Sequence, residues 1–406
     1  MRWNISPKIK SVFSDTLWSI VGLSLMNIAA QFAVYPYWNR TLGREAYGNI
    51  VYSLGIMNVL AISIGSGINY ARMRRSAEGT TSNNPYMLLL TAGSILSVFL
   101  LVLLKMLGLL HLDISDFFCY CLLTTATLWR FYADVEYRLR INYKGYFFYY
   151  FLIGIGYLFG IILFKITKLW PMALLPGEVL GLLYVLWRGS IFRIEREPLE
   201  ASFSPILRLA VLLVGTNLLS HLIFNGDRII LQLFAGSTAV TIYYIASLFG
   251  KTMTLITTPL NSVLVGHLAK YDGKLTIKMM NSVFCISLLV IILATILCVI
   301  ASWVILPVIY PADFPRVKHY LVLANMAQII YFIGNVLNTS ILLRFTQARN
   351  QVIVTTIHAV LFIVISIYAT KRFGFTGFCW SLLVINTLRL FICLILGYMG
   401  AERELV

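Results

Sequence analysis

Long apolar stretches recur from one end of the chain to the other, separated by short polar connectors. Stretches of about 18 or more apolar residues are long enough to cross a bilayer as α-helices. The predicted fold is therefore all-α and polytopic. The pattern predicts about twelve transmembrane helices, at about 12–35, 47–69, 86–110, 116–133, 147–166, 171–188, 206–226, 238–262, 281–306, 319–342, 352–370 and 376–399.

The longest connector, WRGSIFRIEREPLEASFSP, joins the sixth and seventh spans and has the character of a linker between two halves. We predict an N-terminal six-helix lobe at 1–188, a cytoplasmic linker at 189–205 and a C-terminal six-helix lobe at 206–406. Two such halves would be related by an axis along the membrane normal, with a binding site between them near the midplane.

A weak internal repeat supports this division. LGREAYGNIVYSLG follows the first span and FAGSTAVTIYYIASLFG follows the seventh. In this alignment Gly43 matches Gly236 and Ala46 matches Ala239. Each connector leads into a tyrosine-containing helix, so the repeat predicts equivalent helix pairs in the two halves.

Composition adds orientation to this picture. Hydrophobic residues make up 59% of the chain and charged residues 12%, whereas soluble domains have about 25% charged residues. Most Lys and Arg residues lie in connectors on the same side of the membrane as the N-terminus. Basic residues are enriched in cytoplasmic loops, so this distribution predicts that both termini lie in the cytoplasm. This distribution accounts for the net charge of +16 without a nucleic acid partner.

Sequence signatures of enzymes and metal sites are absent. The chain has no P-loop, no HExxH motif and no paired carboxylates, so we predict that it is not an enzyme. The six cysteines lie in apolar segments without a CxxC pair, which predicts neither a disulfide framework nor a metal or other cofactor.

A lysine near the middle of the predicted eighth span is the most informative residue. Lys251 shares one helical face with Ser247, Thr254, Thr258 and Ser262. A lysine at this depth costs roughly 2.5–3.5 kcal/mol on insertion scales, so it must face protein or water. We interpret the polar stripe as the wall of a hydrated cavity. The alternative is a lysine that snorkels or pairs locally.

Uncharged polar residues form further stripes on spans one, seven and ten. The alternative is that these polar groups only form hydrogen bonds that hold neighbouring helices together. Their presence in both halves favours a shared cavity. The candidate cavity-lining residues are Asn27, Gln31, Asn217, His221, Thr254, Thr258, Asn325, Gln328 and Asn335.

Other ionisable residues lie inside predicted spans. Arg389, deep in span twelve, and Arg130, at the inner end of span four, add positive charge. Arg130 could instead be interfacial, with Asp134 one turn away as a partner. Glu178 is the only acid predicted well inside a span, and it is either an ion-coupling site or the partner of a basic residue. The membrane-embedded charge is mainly cationic, which predicts an anionic substrate such as a phosphate or pyrophosphate.

The connector RTLGREAYG after the first span resembles the LG-x-E-x-YG connector of Wzx-type polysaccharide flippases. These proteins are a branch of the multidrug/oligosaccharidyl-lipid/polysaccharide exporter superfamily. DRIILQLFAGSTAVTIYYIA, LPVIYPADFPRVKHYLVLA and RFGFTGFCWSLL also have the character of this family, so the resemblance covers most of the chain. One departure is Thr241, where members often have glycine before the tyrosine.

The resemblance implies two six-helix lobes that form a V and open alternately to each side. It implies translocation of an undecaprenyl-pyrophosphate-linked oligosaccharide from the cytoplasmic to the periplasmic leaflet of the bacterial inner membrane, for assembly of O-antigen lipopolysaccharide or capsule. Lys251, Arg389 and Arg130 would then bind the pyrophosphate and sugar head group. A polysaccharide polymerase and a chain-length regulator are further partners that this function would allow.

Two alternatives remain open. A cation-coupled drug or metabolite exporter of the same superfamily would be expected to carry acids within the membrane. A membrane-embedded glycosyltransferase or polymerase would be expected to have a catalytic carboxylate or a large outer loop. The surplus of embedded positive charge favours the flippase over the exporter. The sequence has neither the catalytic carboxylate nor the large outer loop expected of the enzyme, which favours the flippase over it as well.

Overall fold

The computed structural model describes residues 7–76, 82–194, 203–255, 257, 261, 264, 268, 273, 275–346 and 348–403. No strand occurs among these residues. Up to residue 235 the helices are α1 (Pro7–Ile28), α2 (Tyr35–Leu42), α3 (Arg44–Ser76), α4 (Asn84–Met106), α5 (Ile114–Leu139), α6 (Tyr143–Thr167), α7 (Leu175–Arg188) and α8 (Phe203–Ala235). A π-helical segment, Ala29–Val34, joins α1 to α2, and a 3₁₀ turn, Trp170–Ala173, precedes α7.

After residue 235 the helices are interrupted more often. They are α9 (Ser237–Ala246), α10 (Leu248–Thr252), α11 (Ile277–Ile309), α12 (Phe314–Val317), α13 (Leu321–Leu337), α14 (Leu343–Phe345) and α15 (Ala348–Arg403). A 3₁₀ turn, Lys318–Tyr320, precedes α13, and a π-helical segment, Asn338–Leu342, follows it. Within α15, Gly374 has φ 62° and ψ −148°, so this segment is two helices that correspond to the predicted eleventh and twelfth spans.

Eight helical segments of the described residues are long and apolar enough to cross a membrane. The last of them, Arg349–Ala401, contains the break at Gly374. The helix that matches the sixth span, α7, is shorter, at 14 residues, and is extended by the 3₁₀ turn before it. The all-α, polytopic fold class predicted from the hydrophobic pattern is confirmed.

The chain divides into two compact units. The first unit comprises Met1–Gly43 and Asn49–Ile229, and the second comprises Arg44–Gly48 and Ile230–Val406. The middle of the predicted linker, 195–202, lies outside the described residues. The division into six-helix lobes at 189–205 stays a prediction.

In the first unit α6 packs against α1 and α7, and glycines bring α6 close to α7. A Cβ atom added at Gly156 would lie 2.4 Å from the Cα of Gly177. Such small residues allow the backbones of membrane helices to approach closely. As a result, Tyr157 of α6 lies beside Glu178 of α7, with their side chains in contact.

In the second unit α11, α13 and α15 share a hydrophobic core. Met280 of α11, Ile330 of α13 and Leu394 of α15 are among its buried members. The short helix α10 packs against α13. A Cβ added at Gly250 of α10 would lie 3.0 Å from the side chain of Asn325, so α10 comes close to α13 at this point.

The two connectors aligned by the sequence repeat have the same backbone conformation. Gly43 has φ 85° and ψ 169°, and Gly236 has φ 83° and ψ 170°. Glycine adopts a positive φ without the steric cost that a side chain brings. Each glycine lies between two helices, as the repeat predicts.

Within the second unit the start of α3 packs against the start of α9. The Thr241 hydroxyl donates to the Arg44 carbonyl oxygen at 2.7 Å. A Cβ added at Gly48 would lie 2.0 Å from the Ser237 carbonyl oxygen. In the repeat alignment Arg44 matches Ser237 and Gly48 matches Thr241, so the contact is reciprocal between equivalent positions. The departure from glycine at Thr241 supplies a hydrogen bond here.

Candidate functional site

Arg389 is a buried cation in the second unit, with 4% of the residue exposed. Its Nη2 donates to the Asn335 side-chain oxygen at 3.1 Å, and its guanidinium carbon lies 5.2 Å from the centre of the Tyr331 ring. Its Nε has no hydrogen-bond partner, and no carboxylate among the described residues forms an ion pair with it. This arrangement can receive an anion, because donors of the guanidinium remain available.

The groups around Arg389 are polar but uncharged or weakly basic. His358 Nε2 lies 3.0 Å from Asn386 Oδ1, and the ring centres of His358 and Tyr331 are 5.8 Å apart. The Asn386 amide donates to the Ala327 carbonyl at 2.9 Å. Sequence analysis did not single out either His358 or Asn386. The only signal in the sequence was that each of them is a polar residue within an apolar span, with His358 before Gly374 and Asn386 after it.

Lys251 lies in α10 of the second unit, with 8% of the residue exposed. Two hydroxyls of its predicted stripe bond to backbone carbonyls nearby: Ser247 to Tyr243 at 2.8 Å and Thr254 to Lys251 itself at 2.9 Å. Thr258 and Ser262 lie outside the described residues. The structure confirms a buried position for the lysine, and its role in a cavity stays a prediction.

Asn325 and Gln328 of α13 support the segment that carries this lysine. The Asn325 amide nitrogen donates to the Ala246 carbonyl at 3.0 Å, and its oxygen accepts from the Gly250 amide at 2.6 Å. These backbone groups flank the break between α9 and α10, where helical hydrogen bonds are lost. Gln328 donates to the Tyr243 hydroxyl at 2.9 Å. Both predicted cavity residues therefore have structural partners.

Arg130 forms a buried ion pair with Glu178 in the first unit. Arg130 Nε lies 2.6 Å from Glu178 Oε2, and the Tyr157 hydroxyl donates to Glu178 Oε1 at 2.6 Å. Both side chains of the pair are less than a tenth exposed. In this structure Glu178 is therefore the partner of a basic residue, which is one of the two roles that the sequence left open for it.

Two further buried acids, Asp134 and Glu136, lie in α5 just beyond the predicted end of the fourth span, and the prediction that only Glu178 lies well within a span stays a prediction. Asp134 accepts hydrogen bonds from Tyr150 at 2.9 Å and Tyr146 at 3.2 Å and lies 3.5 Å from Arg138. Glu136 Oε1 lies 2.7 Å from the Nε of its ion-pair partner on the next turn. The helix α5 continues beyond the predicted end of the fourth span, because the polar residues at this end have the sequence pattern of a connector.

The polar residues of spans one and seven are half-buried. Asn27 and Asn217 each donate to the carbonyl four residues earlier in their own helix, at 2.8 Å and 2.7 Å. Gln31 lies in the π-helical segment after α1. The buried Nδ1 of His221 has no hydrogen-bond partner among the described residues. Their predicted role in lining a cavity stays a prediction.

No family model and no curated protein matches this chain. Solved structures of transporters do match it over nearly its whole length. One is an inward-facing multidrug resistance MATE family transporter of the MOP superfamily, with 14% identity, a TM-score of 0.67 and coverage of 95% of this chain and 98% of that one.

Two further structures cover similar shares. A mutant of the Vibrio cholerae MATE transporter VcmN has 13% identity and a TM-score of 0.64, with coverage of 98% and 96%. A MOP superfamily transporter from Pyrococcus furiosus, described as having a binding pocket of reverse polarity that suggests a different function, has 13% identity and a TM-score of 0.62, with coverage of 97% and 96%. This chain therefore has the fold of the MATE transporters of the MOP superfamily.

Proposed function

We propose that this chain is a multi-pass transporter of the MOP superfamily that carries an anionic, lipid-linked oligosaccharide across the membrane. The observation that carries this proposal is Arg389, a buried guanidinium whose side-chain partners among the described residues are a neutral amide and an aromatic ring. A cation in such a position is costly unless an opposite charge joins it for part of the functional cycle.

The difference between the buried arginines Arg130 and Arg389 supports an anionic substrate. Glu178 neutralises Arg130, so this pair leaves no net charge for a ligand. Arg389 has no such acid among the described residues, and Lys251 adds a second buried cation to the same unit. Pyrophosphate suits such residues because its oxygens accept several charge-assisted hydrogen bonds.

The family resemblance supplies the rest of the proposal. The cargo would be an undecaprenyl-pyrophosphate-linked repeat unit, moved to the periplasmic leaflet of the bacterial inner membrane for O-antigen lipopolysaccharide or capsule assembly. The polymerase and chain-length regulator of that assembly would be partners. Both termini would lie in the cytoplasm, as the distribution of Lys and Arg predicts. Translocation requires no covalent step, so the proposal includes no enzymatic activity.

A cation-coupled drug or metabolite exporter is the second candidate function. The solved structures favour it over the flippase, because they include transporters described as multidrug resistance proteins. The buried charges favour the flippase, because Glu178 is already paired and Arg389 would repel an organic cation. The Pyrococcus furiosus transporter is described as differing in pocket polarity within this fold. The charge of the buried polar residues is therefore the property by which we choose between the exporter and the flippase.

One experiment with two arms decides between these functions. The chain would be expressed in cells that lack their own polysaccharide flippase, and surface polysaccharide would be measured. It would also be expressed in cells that lack their main drug exporters, and growth in cationic drugs would be measured. Restored polysaccharide without drug resistance supports the flippase; drug resistance without polysaccharide contradicts it and supports the exporter.

Variants of Lys251 make the surface polysaccharide assay a test of the substrate site. At matched protein levels, Lys251→Ala is expected to lose surface polysaccharide and Lys251→Arg to retain it, because arginine preserves the positive charge. Full activity in both variants would remove Lys251 from the substrate site, although it would leave the proposed class of transporter intact.

A further inference from the structure

A cavity of about 240 Å³ lies in the first unit, where α5 ends, α6 begins and α7 ends. One water molecule needs only roughly 10–15 Å³, so a ligand group of several heavy atoms fits. We propose that this cavity binds the phosphate of an anionic phospholipid head group. The proposal does not rest on the transport function.

One of the residues that line this cavity has a buried hydroxyl without a hydrogen-bond partner among the described residues. Tyr137 lines the cavity and is 4% exposed, and its hydroxyl has no hydrogen bond to any described residue. The ring of Tyr137 stacks on that of Tyr184, with centroids 6.5 Å apart and planes at 14°, which fixes its position. Buried polar groups almost always have a partner, so the missing acceptor is expected to be a ligand or water.

The charges that line the cavity favour an anion. Arg140 is held in place by Glu136, at 2.7 Å, and by the Ser190 hydroxyl, at 2.6 Å. Arg188 is exposed and lies over the Trp187 ring at 4.2 Å, and it forms no ion pair with the described residues. Two arginines and one acid therefore leave a net positive charge. A phosphate oxygen can accept hydrogen bonds from Arg188 and from the tyrosine hydroxyl.

The surroundings favour a lipid over a soluble phosphate. Leu183, Leu186 and Trp187 of α7 are 54%, 58% and 71% exposed, and in a membrane such apolar side chains meet acyl chains. The predicted orientation places this end of the helices at the cytoplasmic surface. Basic pockets between transmembrane helices on that side are suited to anionic head groups.

The test is a lipid titration of the purified full chain in neutral detergent, with bound lipid measured by native mass spectrometry. Phosphatidylglycerol is expected to bind more tightly than phosphatidylcholine with the same acyl chains. Arg188→Gln is expected to weaken phosphatidylglycerol binding about tenfold, the effect of losing one charge-assisted hydrogen bond. Tyr137→Phe should weaken it about threefold and leave folding unchanged, because no protein hydrogen bond is lost.

Lys144→Gln is the matched control, because Lys144 is exposed at the same end of the unit and does not line the cavity. Its lipid affinity should equal that of the wild type. Equal binding of the two lipids, or equal losses in Lys144→Gln and Arg188→Gln, would overturn the proposal. Soluble glycerol 3-phosphate that binds as tightly as phosphatidylglycerol would assign the cavity to a free phosphate and also overturn it.

Discussion

Two buried arginines, one from each unit, differ in their partners. In the first unit, Arg130 lies 2.6 Å from Glu178, whose second oxygen accepts a hydrogen bond from Tyr157. In the second unit, Arg389 donates to the neutral side chain of Asn335 and lies over an aromatic ring. Both are arginines within apolar helices, yet one is neutralised by the protein and the other is not.

This difference separates structural charge from charge available to a ligand. A buried arginine with its own carboxylate is satisfied inside the protein. A buried arginine without one retains donors and an unbalanced field, which an anion can complement. The candidate substrate residue of the second unit is therefore identified by its partners, since depth in the membrane alone does not distinguish it from Arg130.

The largest effect is expected when the pair of the first unit is broken. Glu178→Gln should lower the free energy of unfolding by about 3–5 kcal/mol, because it leaves Arg130 buried without a countercharge. Equilibrium unfolding in mixed detergent micelles would measure this. The double variant Arg130→Met, Glu178→Leu is expected to recover most of the loss. Equal stability of Glu178→Gln and the wild type would show that the pair does not neutralise Arg130.

A smaller loss is expected at the helix break of the second unit. Asn325→Leu removes the partners of the Ala246 carbonyl and the Gly250 amide and should lower the free energy of unfolding by about 2–4 kcal/mol. Unfolding of the variant in the same micelles checks this. Asn27→Leu, which alters an amide bonded only within its own helix, is the control, with an expected change below about 1 kcal/mol. Equal losses would show that the break does not depend on Asn325.

The smallest effect on stability is expected at Arg389. Arg389→Gln removes a charge that has no countercharge among the described residues, so the free energy of unfolding should change by less than about 1 kcal/mol or increase. The same unfolding assay measures it. A loss comparable to that of Glu178→Gln would mean that Arg389 is structural as well, and the contrast between the units would no longer hold.

The fold follows largely from the hydrophobic pattern. The apolar runs locate the helices, and Gly43 and Gly236 have the matching conformations that the repeat predicts. The helix α5 continues past the predicted end of the fourth span, because the charges of Asp134 and Glu136 make its end resemble a connector. The arginines that pair with these acids lie one turn further along the chain, and hydrophobicity does not encode such pairing.

The sequence predicted the candidate site less completely than it predicted the fold. Lys251, Arg130 and Arg389 are visible as charges within apolar spans, but the polar partners that distinguish the two arginines lie far away in the chain. Glu178 follows Arg130 by two helices, and Asn335 precedes Arg389 by a similar distance. Only the tertiary structure shows which arginine is neutralised.

Ligand binding at Arg389 tests the central claim most directly. Purified wild type, Arg389→Gln and Arg389→Lys would be titrated with farnesyl pyrophosphate, and with farnesol as the control without a phosphate. We expect farnesyl pyrophosphate to bind about tenfold more weakly to Arg389→Gln, with a smaller loss in Arg389→Lys and no change for farnesol. Equal affinity of wild type and Arg389→Gln for farnesyl pyrophosphate would contradict the claim that this buried cation receives an anionic substrate.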